Sequence, residues 1–253
     1  MTTPFADAKT EFDTDGYTVQ RSFLDEEQTI DVTANLDRYI AEIVPTVPSD
    51  HAFYEDKSDL STLKQLPHMQ MHDPYFDLML NRSRFRDLAE ELLEGEVVPK
   101  NVQFLCKPAA IGQATPPHQD GYYFMIEPVE GLTMWLGLDY ADEENGCLRY
   151  VKGSHRKELR EHGRTQTLGF SQGLVDFGTD DDIENEAVYN ASPGDLLTHH
   201  ALTVHRADAN RSASRSRRAI GLVYLSARAK ERTEELTEYR KKLAEDLAKK
   251  KRI

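Results

Sequence analysis

Before Val97, apolar and polar residues mostly alternate with the period of an amphipathic helix. In the longest such stretch the apolar positions are Leu24, Ile30, Val32, Leu36, Ile40 and Ile43, and Pro45 ends the pattern. A loop is predicted from there to about residue 60. The pattern as a whole predicts a short strand at Gly16–Gln20 and three helices, at Asp25–Val44, Asp73–Leu80 and Ser83–Leu93.

From Val97 onward, short β-prone runs are separated by glycine, proline and asparagine turn residues. Six or more strands of this kind are typical of a β-sandwich or jelly roll. A long acidic segment, residues 176–186, interrupts them and is predicted to be a surface loop. The predicted strands are Val97–Lys107, Tyr122–Ile126, Leu132–Leu138, Cys147–Val151, Asp195–His199 and Ala219–Leu225.

Residues 228–253 have a different composition, with one narrow apolar stripe and charged residues elsewhere. The stripe consists of Leu236, Tyr239, Leu243 and Leu247. It predicts a long C-terminal helix that packs on the outside of the β domain or forms a dimer contact. The chain is therefore predicted to have one domain at 1–227, followed by a charged helix at 228–253.

The chain has 253 residues, is 39% hydrophobic and carries a net charge of −13, which suits a globular protein with a sizeable core. Nucleic acids and anionic membranes need clustered basic residues, so neither is an expected partner. No apolar run approaches the ~18 residues of a membrane span, and the N-terminus lacks a signal pattern. A cytoplasmic monomer or homodimer is predicted, with Cys106 and Cys147 reduced and half-buried.

His118 and Asp120 are the first candidates for chemistry. In a strand or at its end, residues two apart point to the same side, so both side chains could reach one metal while Gln119 points elsewhere. A His-x-Asp pair by itself arises easily by chance, and it becomes informative only with a second histidine.

Three histidines near residue 200 could complete such a site: His199, His200 and His205. Spacing alone does not decide which one binds metal. His199 and His200 are expected to be buried and hydrogen-bonded to the backbone, with a substrate contact as the alternative. Two imidazoles and one carboxylate on adjacent corners of an octahedron leave the open positions that Fe(II) oxygenases require.

Three arginines follow the histidines at positions 215, 217 and 218. Arginine is the natural bidentate partner of a carboxylate, so one of them could clamp a dicarboxylic cosubstrate such as 2-oxoglutarate. Strand alternation places Arg215 and Arg217 on one face and Arg218 on the other.

The chain resembles the phytanoyl-CoA dioxygenase family of Fe(II)/2-oxoglutarate oxygenases from about Asp15 to Leu225. It is most similar to the phytanoyl-CoA dioxygenase domain-containing group of that family. The landmarks are His72-Asp73-Pro74 with Phe76, Pro117-His118-Gln119-Asp120, Trp135 with Asp139, Glu144 to Leu148, Gly153-Ser154-His155, Gly194-Asp195, His205 to Asn210, and Arg217-Arg218-Ala219.

The resemblance implies a mostly β fold with flanking helices, built on a double-stranded β-helix (jelly roll, cupin-like) core. It implies that His118, Asp120 and His205 ligate iron, and that Arg217 binds the far carboxylate of 2-oxoglutarate. It also implies that Lys64, Gln103 and Trp135 contact this cosubstrate, and that O2 is the oxidant.

Four positions depart from the family pattern. Ala207 stands where the family often has a serine that helps to hold the cosubstrate, and Gln103 stands where methionine is common. Lys152 replaces a proline, and the segment before Arg217 is one residue longer, which leaves Arg218 as a minor alternative.

The resemblance implies hydroxylation with release of succinate and CO2. The acidic chain, which has no clear basic channel, favours a small organic metabolite over a coenzyme A ester as the substrate. Asp120 occupies the corner that halogenases of this fold leave for chloride. Two alternatives are a non-catalytic jelly-roll metal- and ligand-binding protein, suggested by Ala207, and a protein hydroxylase whose acidic loop docks a basic tail. Residues expected to roof the site are Tyr54, His68, Met69, Met71, Tyr122, Tyr123 and Phe124.

Overall fold

The structure is a computed structural model that describes residues 4–165 and 172–234, together with 237 and 241. Its helices are α1 (Ala6–Asp15), α2 (Glu26–Arg38), α3 (Pro74–Asn81), α4 (Arg84–Leu92), α5 (Gly121–Phe124) and α6 (Asp180–Glu184). Its strands are β1 (Tyr17–Gln20), β2 (Phe53–Tyr54), β3 (Leu63–Leu66), β4 (Val97–Lys107), β5 (Thr115–His118), β6 (Ile126–Glu127), β7 (Gly131–Gly137), β8 (Leu148–Val151), β9 (His162–Arg164), β10 (Gln172–Leu174), β11 (Glu186–Tyr189), β12 (Leu196–His200), β13 (His205–Ala207), β14 (Arg217–Ser226) and β15 (Lys230–Glu231).

Two antiparallel sheets form the centre of the molecule. The larger sheet has the strand order β1-β12-β7-β14-β4-β3-β2, and the smaller one has the order β11-β8-β13-β5. Their inner faces meet in a cluster that joins Trp135 and Leu197 of the first sheet to Leu148 and Tyr150 of the second. This architecture fits the predicted mostly β fold with a jelly-roll core and flanking helices.

Strand β14 shows how sequence alternation sorts side chains between the two faces of the larger sheet. Its even positions Ile220, Leu222 and Tyr224 pack in the main hydrophobic core with the helices. Its odd positions face the smaller sheet, where Arg217 and Val223 line a cavity. Because side chains alternate strictly along a strand, one face can be apolar while the other carries the polar groups of a site.

The N-terminal helices cover the outer face of the larger sheet. Phe12, Leu36, Phe76 and Leu88 pack there in one cluster with apolar residues of β4, β7 and β14. Helix α2 begins at a capping box in which the Asp25 side chain accepts from the backbone N–H of Gln28. The three predicted helices are confirmed as α2, α3 and α4. Helix α2 ends at Arg38, and the chain then forms a π-helical turn and a 3-10 turn up to Thr46.

Three local predictions are wrong. Ile30, counted among the apolar positions of the first helix, is 61% exposed. The predicted strand Tyr122–Ile126 is instead the short helix α5 followed by β6, because the amides of Tyr123 and Phe124 donate to the Asp120 carbonyl oxygen. The acidic segment 176–186 is not entirely a loop, since it contains α6 and the start of β11.

The predicted C-terminal helix does not begin at residue 228, because Lys230–Glu231 form β15, which pairs with β6. The apolar stripe at 236, 239, 243 and 247 lies outside the described residues, and the domain boundary at 227 stays a prediction. None of the helices in the described part of the chain has the length and apolar character that a membrane span requires. Cys106 and Cys147 are both free; Cys106 is half-buried, but Cys147 is fully buried.

Gly194, at the turn into β12, provides a test of how closely this turn packs against the rest of the fold. Its φ is +89°, and a Cβ there would lie 2.4 Å from the Leu24 carbonyl oxygen. Gly153 has a φ of +69° but has nothing within 4 Å of a Cβ. We expect Gly153→Ala to lower the free energy of unfolding by about 1–2 kcal/mol, the usual cost of a left-handed residue. Gly194→Ala should cost clearly more in the same denaturant titration, and equal losses would contradict the close packing of this turn.

Candidate metal centre

The register of β13 against β5 brings two histidines together. His205 and His118 are direct cross-strand partners, and their ring centroids lie 4.1 Å apart. Residues that face each other across neighbouring antiparallel strands point to the same face of the sheet. Both imidazoles therefore enter the space between the two sheets, although 86 residues separate them along the sequence.

Backbone carbonyl groups orient both imidazole rings. His118 Nδ1 lies 2.8 Å from the Pro116 carbonyl oxygen, and His205 Nδ1 lies 3.0 Å from that of Thr203. Each Nδ1–H can donate to its carbonyl, which leaves Nε2 as the nitrogen directed at Asp120. Burial, with the neighbouring histidines His199 and His118, holds the pKa of His205 well below its usual range. His205 is thus neutral at pH 7, as a metal ligand must be.

Asp120 supplies the third donor. Its Oδ1 lies 3.5 Å from His118 Nε2 and 3.8 Å from His205 Nε2. Ligands on adjacent corners, each about 2.1 Å from a metal, lie about 3 Å apart, so small side-chain shifts would close this set. Within the described ranges 4–165 and 172–234, these three residues are the one metal-ligand cluster.

The charge state of Asp120 suits a metal ligand. Burial alone would raise the pKa of its carboxyl, but His205 and the hydrogen bonds of His118 and His199 outweigh burial and hold that pKa well below its usual range. The carboxylate is therefore ionised at neutral pH. Two imidazoles and one carboxylate, with the remaining corners open, form the donor set of non-haem Fe(II) oxygenases. The residues present thus fit Fe(II).

His199 is the functional residue whose contacts sequence reasoning missed. It was expected to bond to the backbone, but its Nε2 lies 3.1 Å from Asp120 Oδ2 and its Nδ1 lies 3.2 Å from the Tyr150 hydroxyl. His200, in contrast, accepts from the backbone N–H of Leu202, as expected. Alternation along β12 was the available signal, since it places His199 on the same inner face as Leu197.

A cavity of about 370 Å³ opens between the sheets at this centre. It contains the three metal-ligand candidates and all four predicted cosubstrate residues. These side chains come from six different strands or their ends, so only the fold brings them together. The predicted residues that line it are Lys64, Gln103, His118, Asp120, Trp135, His205 and Arg217.

Arg217 is buried, and among the described residues no carboxylate forms an ion pair with it. It is 4% exposed, its guanidinium lies 5.2 Å from the Trp135 ring centroid, and one Nη donates to the Gly146 carbonyl oxygen. Its Nε has no hydrogen-bond partner among the described residues. Burial lowers its pKa to about 10, so it stays charged at neutral pH. Such a group is a ready site for a carboxylate.

Two lysines share this end of the cavity. Lys64 Nζ forms a 2.9 Å ion pair with Glu55, and Lys107 donates to the Gln113 carbonyl oxygen. Burial first, and then the charges of Arg217 and Lys64, hold the pKa of Lys107 well below its usual range. An incoming carboxylate would relieve this repulsion between buried cations.

The other two arginines lie elsewhere. Arg215 precedes β14 and pairs with Asp142 and Glu144. Arg218 points to the opposite side of β14, where its guanidinium forms a two-pronged pair with Asp139. The predicted alternation of Arg217 and Arg218 is confirmed, and it separates Arg218 from the cavity. Arg215 lies before the strand begins and does not share the environment of Arg217.

The residues expected to roof the site divide into two groups. His68, Tyr123 and Phe124 line the cavity. Met69 belongs to the main core and Met71 is 68% exposed, so neither roofs the cavity. Tyr54 packs at the margin of the main core, and Tyr122 stacks on His162.

Comparison with known proteins places this site in a family. The sequence model of phytanoyl-CoA dioxygenase (PhyH) matches residues 12–219. The phytanoyl-CoA dioxygenase domain-containing protein 1 homolog of Caenorhabditis elegans is 30% identical over 174 residues, which are 66% of this chain and 57% of that protein. The 1-deoxypentalenic acid 11-beta-hydroxylase of Streptomyces exfoliatus is 29% identical over 217 residues, 80% of this chain and 74% of that protein.

A solved structure with a similar fold is the epimerase SnoN in complex with Fe³⁺, alpha ketoglutarate and nogalamycin RO. Its TM-score is 0.72 at 22% identity, over 89% of this chain and 85% of that one. At this identity the likeness concerns the fold alone, and the chain spans 57% of the length of the nematode relative. The family match, however, covers most of the sequence and includes every residue of the metal centre. The chain therefore belongs to the phytanoyl-CoA dioxygenase (PhyH) family.

Proposed function

We propose that the protein is an Fe(II)- and 2-oxoglutarate-dependent dioxygenase that hydroxylates a small organic molecule, with release of succinate and CO2. The observation that carries this proposal is one cavity whose lining contains a His-Asp-His cluster and a buried arginine without an acidic partner among the described residues. A chelating keto acid with a second, distant carboxylate is complementary to that combination. The family membership supports the same chemistry.

His118, Asp120 and His205 are the residues that would hold Fe(II). Bound iron supplies open coordination positions at which a 2-keto acid and dioxygen react and the substrate is oxidised. The protein's part is to keep these positions open, orient the cosubstrate and exclude bulk water. The carbonyl groups of Pro116 and Thr203 contribute to this, because they fix the orientation of both imidazoles in the absence of a ligand.

Arg217 would bind the far carboxylate of 2-oxoglutarate, with Trp135 packed against its guanidinium. Lys64 and Lys107 line the same cavity, and Glu55 offsets the charge of Lys64. The cationic surplus favours a dianionic cosubstrate over a neutral one. Gln103 lines the same cavity and receives a 2.9 Å hydrogen bond from Gln65 Nε2, which fixes its side chain.

Ala207 removes a hydroxyl that the family often uses, and a neighbour can replace it. Ala207 pairs across the strands with Thr115, and Thr115 lines the cavity. The Thr115 hydroxyl therefore lies on the strand next to the missing serine. This compensation weakens the case for a non-catalytic binding protein, which depended on Ala207 alone.

The space beyond the cosubstrate suits a small, largely apolar substrate. Phe124, Val223 and Leu225 form an apolar wall of the cavity, and Lys100 pairs with Glu231 at the same cavity. Because Glu231 offsets the charge of Lys100, the described residues of this region offer no cationic path for a coenzyme A ester. One relative, the Streptomyces hydroxylase, is named for a small organic acid, which agrees with this substrate class.

The protein-hydroxylase alternative loses its main support in the acidic segment 176–186. Asp182 is buried and pairs with Arg160, and Asp181 pairs with Lys157. Glu186 pairs with Arg206. Since the chain's own basic residues offset these charges, the segment is a poor docking surface for a basic protein tail.

Succinate formation tests the proposed activity. We expect purified, Fe(II)-loaded protein to form succinate from 2-oxoglutarate in air, slowly without substrate and faster when a substrate is found in a metabolite screen. Asp120→Ala should abolish the reaction, because two imidazoles alone hold the metal weakly. NMR of the reaction mixture measures succinate directly. Iron-independent succinate, or the same rate in the variant, would contradict the proposal.

Binding of 2-oxoglutarate tests the assignment of Arg217. Arg217→Gln should weaken binding by at least about 2 kcal/mol, or roughly 30-fold, because a buried charge pair is lost. Arg218→Gln is the matched control, since Arg218 pairs with Asp139 on the other face and should leave binding unchanged. Isothermal titration of the Mn(II)-loaded protein measures both constants. If Arg218→Gln weakened 2-oxoglutarate binding more than Arg217→Gln did, the role would belong to Arg218 instead.

A further inference from the structure

A row of buried polar side chains lies against the second oxygen of Asp120. Thr133 donates its hydroxyl to Asp120 Oδ2, and His199 Nε2 lies 3.1 Å from the same oxygen. The Tyr150 hydroxyl lies 3.2 Å from His199 Nδ1. Tyr150 is fully buried, His199 is 2% exposed and Thr133 is 8% exposed. These hydrogen bonds are therefore largely shielded from bulk water.

The direction of each hydrogen bond follows from the chemistry of its groups. An ionised carboxylate only accepts, so His199 Nε2 carries the hydrogen that it shares with Asp120. In a neutral imidazole Nδ1 is then an acceptor, to which the Tyr150 hydroxyl donates. A tyrosine hydroxyl keeps its proton at neutral pH, so it remains a donor here.

The two oxygens of Asp120 consequently have different surroundings. Oδ2 accepts from His199 and Thr133, whereas Oδ1 faces Nε2 of His118 and of His205. An oxygen with two donors already in place is a poor additional metal ligand. A carboxylate that binds through one oxygen occupies a single corner of the octahedron and leaves three corners open.

We propose that His199 is a positioning residue that holds Asp120 as a one-oxygen ligand, with Tyr150 selecting the tautomer of His199 that can do so. This inference rests on the proposed metal site and goes beyond it, because it assigns a role to a histidine outside the ligand set. His199 does not belong to the three-residue metal-ligand cluster of the described chain. Partners of this kind typically change metal affinity by about 10- to 100-fold when they are lost.

Co(II) binding to the whole protein tests this role without any turnover. His199→Phe keeps a ring but cannot donate to Asp120, whereas the side-chain amide of His199→Gln can. We expect Co(II) to bind about 10- to 100-fold more weakly to the Phe variant and within a few-fold of wild type to the Gln variant. Isothermal titration gives the dissociation constants, and the visible d–d absorption of bound Co(II) reports its coordination number.

Two further variants separate positioning from folding. Tyr150→Phe removes the donor to His199 and should weaken Co(II) binding by less than His199→Phe does. His200→Gln is the matched control, because His200 is the adjacent histidine of β12 and bonds to the Leu202 amide, not to Asp120. It should leave the Co(II) constant and spectrum unchanged. Thermal unfolding of each metal-free variant shows which effects are losses of stability alone.

Two outcomes would overturn the inference. If His199→Phe binds Co(II) with the wild-type constant and spectrum, His199 does not position Asp120. If the Phe and Gln variants both lose binding completely while still folding, His199 is itself a ligand. A wild-type protein that binds no Co(II) would instead contradict the proposed metal site, and with it this inference.

Discussion

The cross-strand pairing of His205 with His118 is the constraint on which the site depends. A slip of one residue in β13 would turn His205 away from the space between the sheets and bring Arg206 inward. Arg206 now faces the other side, where it pairs with Glu186 and Asp208. The register of β13 is therefore held on both faces, by the buried histidine on one and by charge pairs on the other.

Burial of charge is the second feature that links structure to function here. Arg217 and Lys107 are almost fully buried, and within the described chain neither has an acidic partner in contact. Burying such groups is unfavourable unless something compensates for it. A carboxylate ligand would provide that compensation, so binding should stabilise the fold by mass action as well as place the cosubstrate. The fold is thus less stable with an empty site than with a bound ligand, which is common at functional sites.

Much of the fold and the site could be predicted from the sequence, because both depend on short-range periodicity and on a few chemical types. The alternation of β14 correctly separated Arg217 from Arg218, and the His-x-Asp spacing correctly placed His118 beside Asp120. The resemblance to the family supplied what periodicity could not: which distant residues share one cavity.

The remaining features depend on contacts between residues far apart in the chain. The aromatic run at Tyr122 has high strand propensity, yet hydrogen bonds to the Asp120 carbonyl oxygen turn it into α5. The role of His199 required knowing that Tyr150, 49 residues away, meets it in the interior. From the sequence, the acidic segment looked like an exposed docking loop, because its basic partners Lys157, Arg160 and Arg206 lie outside the segment.

The central claim is that the His-Asp-His cluster and Arg217 together bind one chelating dicarboxylate. The most direct test is an anaerobic titration of Fe(II)-loaded protein with 2-oxoglutarate and, separately, with 2-oxobutyrate, which has the keto acid but lacks the far carboxylate. Chelation of Fe(II) by a keto acid produces a visible charge-transfer absorption. We predict saturable absorption with 2-oxoglutarate at far lower concentration than with 2-oxobutyrate. Equal affinities, or no absorption with saturating 2-oxoglutarate, would contradict the claim.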